Sequence, residues 1–224
     1  SRTMLILSLR GHLASLGMEV TSCSTASFHK KLYAELSKDT VEMVAPTLVT
    51  IQSLTKSIRE YDREIEQIAT EEYPEAKLLQ TVPGVGPLTS LAFILTIDDA
   101  KRFKKSRDVC AFLGLTPKRQ QSGDRNPQLG ITKTGNSYLR RLLVQSAHYI
   151  LGPFGKDSDL REWGLKLAER GGKNAKKRAI VAVARKLAMI LHRMWVTKTE
   201  FIPRRHEPHF VVKRALKAKK KGVS

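Results

Sequence analysis

Between residues 50 and 69 the apolar side chains fall at Ile51, Leu54, Ile58, Tyr61, Ile65 and Ile68, with spacings of three, four, three, four and three. That alternation is helical and puts all six on one seam. Charged residues surround it: Arg59, Glu60, Arg63, Glu64 and Glu66. Two readings are open. The segment is one amphipathic helix packed on a globular core, or it is a coiled-coil arm over residues 45–73 that pairs with a further copy. Pro74 ends the helix by about Tyr73.

The rest of the chain continues the helical pattern and predicts an all-α fold. Leu5, Leu9, Leu13 and Leu16 are spaced for one helix that stops at Gly17. A second helix is expected over residues 26–35, and others over 107–113, 138–151, 160–168 and 175–195. Asp98 and Asp99 are placed to cap a turn starting near Ala100, and Asn136 to cap the 138–151 helix. The organisation expected is a helical N-terminal remainder (1–44), the arm (45–73), a helical C-terminal domain (76–203) and a basic tail (204–224). Cys23 and Cys110 are far apart with no CxxC spacing, which excludes a disulfide scaffold and a four-cysteine zinc site. The longest apolar stretch, Leu88 to Ile97, is too short to span a bilayer, and no leader pattern opens the chain. A cytoplasmic, nucleoid-associated protein with no membrane partner is expected.

Charge narrows the partner. Of 224 residues, 40 are Lys or Arg and 21 Asp or Glu, a formal net charge of +19. An excess of that size points to a polyanion, most often nucleic acid. It is unevenly spread: residues 1–100 hold nine basic and thirteen acidic side chains, residues 101–224 thirty-one and eight. Polyanion binding is therefore assigned to the second part. There, Thr81-Val82-Pro83-Gly84-Val85-Gly86-Pro87 separates two short apolar helices, like the hairpin of helix-hairpin-helix DNA-binding modules. Gly84 and Gly86 allow a tight turn, Val85 can plug the gap between the helices, and the N-terminus of the following helix is a ready phosphate cradle. The competing reading is an αα-hairpin whose glycines only permit close packing. A Rossmann reading fails, because the third glycine and the preceding strand are missing. Next comes a polar loop of some eighteen residues, 118–135, with Lys118, Arg119, Arg125 and Lys133 placed to hold phosphates around Ser122. No His stands nearby in sequence to serve as its base, and composition alone gives Ser122 no role beyond that of a loop serine. Arg140 and Arg141 project from the first turn of the helix that follows. Lys177, Arg178 and Arg185 mark a basic face on the last long helix, and His192, seven residues beyond Arg185, is expected to share it. The tail is electrostatic.

Several motifs occur in a set order: Arg10-Gly11-His12-Leu13-Ala14-Ser15-Leu16-Gly17, the Pro-Gly-Val-Gly hairpin, Leu113-Gly114-Leu115-Thr116-Pro117, Gln121-Ser122-Gly123, Ile131-Thr132-Lys133-Thr134-Gly135-Asn136 and Tyr138-Leu139-Arg140-Arg141-Leu142-Leu143-Val144. In this order they resemble the C-terminal two thirds of the insertion-sequence transposases related to the Piv/MooV DNA invertases. The resemblance runs to about Pro203. It implies a site-specific DNA recombinase with a catalytic serine, which falls on Ser122, and a coiled coil supporting a homodimer or tetramer. It also implies an N-terminal RuvC-like domain with four acidic ligands for Mg²⁺, and in some members a guide non-coding RNA. No RuvC-like segment is present in this chain, and Asp98 and Asp99 cannot replace it. The expectation is thus a C-terminal part with no metal or cofactor of its own, which binds DNA but does not recombine it alone. The alternative is a non-enzymatic helix-hairpin-helix DNA-binding protein. A purely RNA-binding role lacks any aromatic strand pattern to support it.

Overall fold

The computed structural model describes residues 1–120 and 129–204. Among these it is all-helical, with nine α-helices and a 3-10 turn and no strand. The chain divides into two compact units, Ser1–Ile65 and Glu66–Ser224.

The first unit is built from α1 (Arg2–Ser15), α2 (Phe28–Glu35) and the N-terminal part of α3 (Lys38–Glu71). Its core joins Ile6, Leu9 and Leu13 with Phe28 and Leu32, and with Val44, Leu48 and Ile51. Helix α1 ends as its sequence predicts: Gly17 takes φ +74 and its N–H donates to the Ala14 carbonyl, while Met18 N–H returns to Leu13. Arg10 then fixes the loop to α2, donating to the Val20 carbonyl at 3.0 Å with its guanidinium 5.1 Å from the centre of the Phe28 ring. The heptad segment is part of one helix of 34 residues that begins at Lys38, before the expected start, and carries Pro46 inside it. Along the seam, Ile51 is buried in the core and Leu54 half-buried, whereas Ile58 and Tyr61 are 37% and 64% exposed.

The second unit is organised on α9 (Ala175–Thr197), which packs against α4 (Pro74–Leu79), α6 (Ser106–Phe112), α7 (Ser137–Leu151) and α8 (Asp159–Glu169). Ala179, Ala184 and Ala188 are buried on α9 and let its neighbours come close; Leu187, Leu191 and Met194 supply bulk. Trp195 meets the edge of Phe93 on α5 (Pro87–Ile97), with ring centroids 6.5 Å apart. The expected caps form: Asp99 accepts from Lys101 N–H at the 3-10 turn Ala100–Arg102, and Asn136 accepts from Leu139 N–H at 3.0 Å.

His192 corrects the expected basic face. It is 2% exposed, with Nδ1 2.9 Å from Ser106 Oγ and Nε2 2.9 Å from the Ala100 carbonyl. A carbonyl only accepts, so Nε2 donates to Ala100, while Nδ1 and the serine hydroxyl share the second bond. This imidazole ties α9 to the 3-10 turn and α6, because a helix of period 3.6 drifts about 20° per seven residues. That drift carries position 192 off the stripe and into the core. Cys110 is also fully buried, and its thiol donates to the Arg185 carbonyl at 3.3 Å. Burial pushes that thiol up from its ordinary pKa. At the C-terminal end, Arg204 forms ion pairs with Asp157 and Glu162, and the remainder of the basic tail lies outside the described residues.

Candidate nucleic-acid interface

The hairpin occupies residues 80–86 between α4 and α5. Gly84 sits at φ +87, where a Cβ would lie 2.8 Å from the Tyr149 ring and 3.2 Å from the Ser146 carbonyl, so both conformation and space require glycine. Gly86 differs. Its φ is −96 and a Cβ would meet nothing within 4 Å. Its bare backbone faces open space at the N-cap of α5, which no side chain caps. Val82 and Val85 are buried, and Val85 N–H closes the turn on the Val82 carbonyl at 3.0 Å. Beside the turn is a cleft of about 410 Å³ lined by Gly84, Val85, Gly86 and Thr89, and by Leu142, Gln145, Ser146 and Tyr149 of α7. None of these is charged. The basic stretch after α5 goes elsewhere: Arg102 lies over the Phe112 ring at 4.9 Å, and Lys105 and Arg107 line a separate cleft of about 670 Å³ with Lys186 and Arg193 of α9.

The long loop has more order at its base than its composition suggests. Lys118 N–H donates to Gly130, Thr132 N–H to Thr116 and Lys133 N–H to Gly114, with Pro117 and Ile131 forming an antiparallel bridge. Two chain segments thus rise side by side as a short stalk. Its root is tight. Gly135, at φ +71, lies so close to α6 that a Cβ would overlap the Phe112 carbonyl, and a Cβ on Gly114 would overlap the backbone of Thr134. Arg140 closes the root from α7, donating to the Leu113 carbonyl at 2.9 Å and the Thr134 carbonyl at 2.7 Å. Ser122 and Arg125 lie outside the described residues.

The expected cations divide accordingly. Lys118, Arg119 and Lys133 are exposed on the stalk, and Lys133 is itself in the left-handed region at φ +61. Arg141 is exposed, 5.8 Å from the Tyr138 ring centre, whereas Arg140 is half-buried and holds the root. Lys177 and Arg178 are exposed in the first turn of α9, and Arg185 is half-buried two turns on. That first turn holds Lys176, Lys177 and Arg178 with no acid. A helix N-terminus disfavours cations by about 0.3–1 kcal/mol each, and a phosphate bound there would offset that cost. Sequence reasoning missed the Arg140 clamp, the stalk pairing and the basic cleft between α6 and α9. The two glycines at 114 and 135 were the available signal for the stalk root.

Among the described residues no three carboxylate, imidazole or thiol groups converge as a metal would require. Among the same residues no helix is long and apolar enough to cross a membrane.

Comparison with known proteins covers the same segments. Residues 76–158 match the "Transposase IS116/IS110/IS902 family", a stretch that holds the hairpin, the stalk and α7. The chain is 33% identical over 199 residues to the transposase for insertion sequence element IS1111A of Coxiella burnetii, covering 85% of this chain and 53% of that protein. It is 27% identical to a probable family 20 transposase of Pseudomonas aeruginosa, over 91% of this chain and 61% of the relative. It is 29% identical to the pilin gene-inverting protein of Moraxella bovis, over 70% and 49%. The chain thus spans about half to three fifths of the length of these relatives. Residues 76–158 are thus similar to the IS116/IS110/IS902 transposase family, and the chain more widely to proteins described as transposases.

Proposed function

We propose that this chain is the DNA-contacting part of a site-specific transposase, with Ser122 as the nucleophile on a DNA phosphodiester. The single observation that carries the reading is the stalk. Backbone bonds, two glycine close approaches and Arg140 hold its root on α6 and α7, and the segment bearing Ser122 joins its two sides. Exposed Lys118, Arg119 and Lys133 supply positive charge to phosphates along it, with Arg125 adding to them. Arg141, the first turn of α9 and the open backbone at Gly86 extend the contact surface. In the step itself, Ser122 Oγ loses its proton to a base and forms a bond to phosphorus. The bond from phosphorus to one deoxyribose oxygen breaks, and that oxygen takes a proton as it leaves. The result is a serine–DNA ester that conserves the phosphodiester energy for rejoining.

The activity requires a RuvC-like domain, which would hold Mg²⁺, together with this part. The partners we infer are DNA, a guide non-coding RNA and further copies of the chain along the Ile58–Tyr61 seam. The compartment we infer is the cytoplasm, at the nucleoid. A second reading, non-enzymatic DNA binding, is favoured by one fact: the open hairpin and the cationic first turn of α9 are complete without Ser122.

Ser122→Ala in the protein joined to its RuvC-like domain separates them. Loss of strand exchange and of a denaturant-resistant protein–DNA adduct, with DNA affinity retained, is the expected outcome. Persistent strand exchange would refute the nucleophile, and a DNA affinity that does not change with salt would refute both readings.

A further inference from the structure

By net charge the first part of the chain is acidic, yet one site on it is not. In the first unit, α2 and the middle of α3 enclose a cleft of about 610 Å³. Lys30 reaches it from α2, and Lys56, Arg59 and Arg63 from α3; Glu60 is the single acid among the residues that line it. Glu60 approaches Lys56 at 3.9 Å with both side chains more than half exposed, so it neutralises little of this charge.

His29 also lines the cleft. It is 5% exposed, and its buried Nδ1 has no hydrogen-bond partner. Native cores rarely leave such a nitrogen unsatisfied. Burial holds the imidazole below its ordinary pKa, and the charges of Lys30 and Arg59 lower it further. An anion in the cleft would satisfy the nitrogen and relieve the repulsion together. Thr55 of α3, 1% exposed, also lines the cleft.

The spacing of the cations selects among anions. Lys56, Arg59 and Arg63 stand at i, i+3 and i+7 on one helical face, a row of about 10 Å at about 1.5 Å per residue. A single phosphate ion can meet only part of such a row. A nucleic-acid strand, with a phosphate about every 3.4 Å of helix axis, can meet all of it. We propose that this cleft binds the phosphodiester backbone of a nucleic-acid strand, with Arg59 and Arg63 on phosphate oxygens and His29 Nδ1–H donating from the wall. The site lies wholly within residues 29–63 and depends neither on Ser122 nor on the surfaces of the second unit.

The test uses the full chain with isotope-labelled histidines, followed by NMR. The probes are an oligothymidylate of about six nucleotides, inorganic phosphate and a hexaglutamate peptide. The expected result is a saturable shift of the His29 ring signals with the oligonucleotide and a rise in the pH midpoint of that ring. Arg59→Gln with Arg63→Gln should weaken the His29 response about tenfold or more and lower its log–log salt slope by about two. Both positions are exposed, so the variant keeps the fold, and an unchanged His148 signal in the second unit verifies this. A His29 signal that ignores the oligonucleotide, or an undiminished response in the double variant, overturns the proposal. So does equal affinity for phosphate or hexaglutamate, which would assign the cleft to a free anion or an acidic peptide. Failure of DNA binding at the second unit with the His29 response intact would count against the transposase reading and leave this one standing.

Discussion

Replacing Gly135 by alanine tests whether the stalk root is as tight as the geometry implies. The residue sits at φ +71, where an L side chain costs about 1–2 kcal/mol. The new methyl would overlap the Phe112 carbonyl, a main-chain atom at the end of α6 that cannot rotate aside. Overpacking of this kind adds about 1–3 kcal/mol, so the total loss is about 2–5 kcal/mol. For a unit of this size each kcal/mol moves the midpoint by about 2–4 °C, which predicts a Tm lowered by about 4–20 °C in scanning calorimetry. Gly86→Ala is the matched control. Its φ is −96 and its Cβ direction is empty, so its Tm should stay within about 2 °C of the parent, in keeping with surface substitutions of about 0.5 kcal/mol or less. A Gly135→Ala protein that melts with the parent, or a Gly86→Ala protein that melts as early as Gly135→Ala, would refute the reasoning.

Other substitutions probe the remaining claims. Arg140→Gln removes two charge-assisted bonds to carbonyls, one of them at an exposed site, and should destabilise by about 2–3 kcal/mol in denaturant titration. Its neighbour Arg141→Gln should be close to neutral in stability but lower the DNA-binding salt slope by about one; identical behaviour of the two would count against the clamp. His192→Ala should cost about 3 kcal/mol, since it leaves the Ala100 carbonyl unpaired and opens a cavity beside Phe103, and a loss below about 1 kcal/mol would contradict the lock. The His29 pKa is lowered from 6.5 in the folded state, so on acidification the unfolded chain takes up that proton first. The stability of the first unit should then decline as pH falls below about 6.5 until the lower folded value is passed. A flat profile in phosphate-free buffer, or an equal decline in His29→Asn, would exclude this source.

Periodicity made the helices legible, and single residues made their ends so: Gly17, Asn136 and Asp99 act where the sequence put them. What periodicity cannot carry is the neighbour. Ile51 and Tyr61 belong to one seam by spacing, yet only Ile51 meets α1 and α2, while Tyr61 is exposed. Arg140 reads like any cation in a first turn. The carbonyls that capture it belong to residues 113 and 134, brought together only by the fold. His192 reads as surface because a spacing of seven looks constant over two turns and is not over four. The cationic cleft at His29 was hidden by averaging, since a count over a hundred residues erases four charges gathered at one place.

The stalk holds its shape through main-chain atoms: three amide-to-carbonyl bonds, a glycine against a carbonyl, and one arginine that reads carbonyls. Side chains at Lys118, Arg119 and Thr132 take no part in those bonds except through their backbones. Their identities can drift under selection without moving the platform on which they stand. Such a stem lets a lineage retune which nucleotides it meets by point mutation, while the main-chain path of the stem itself is inherited unchanged. Gly114, Gly135 and Arg140 are where that tolerance should stop.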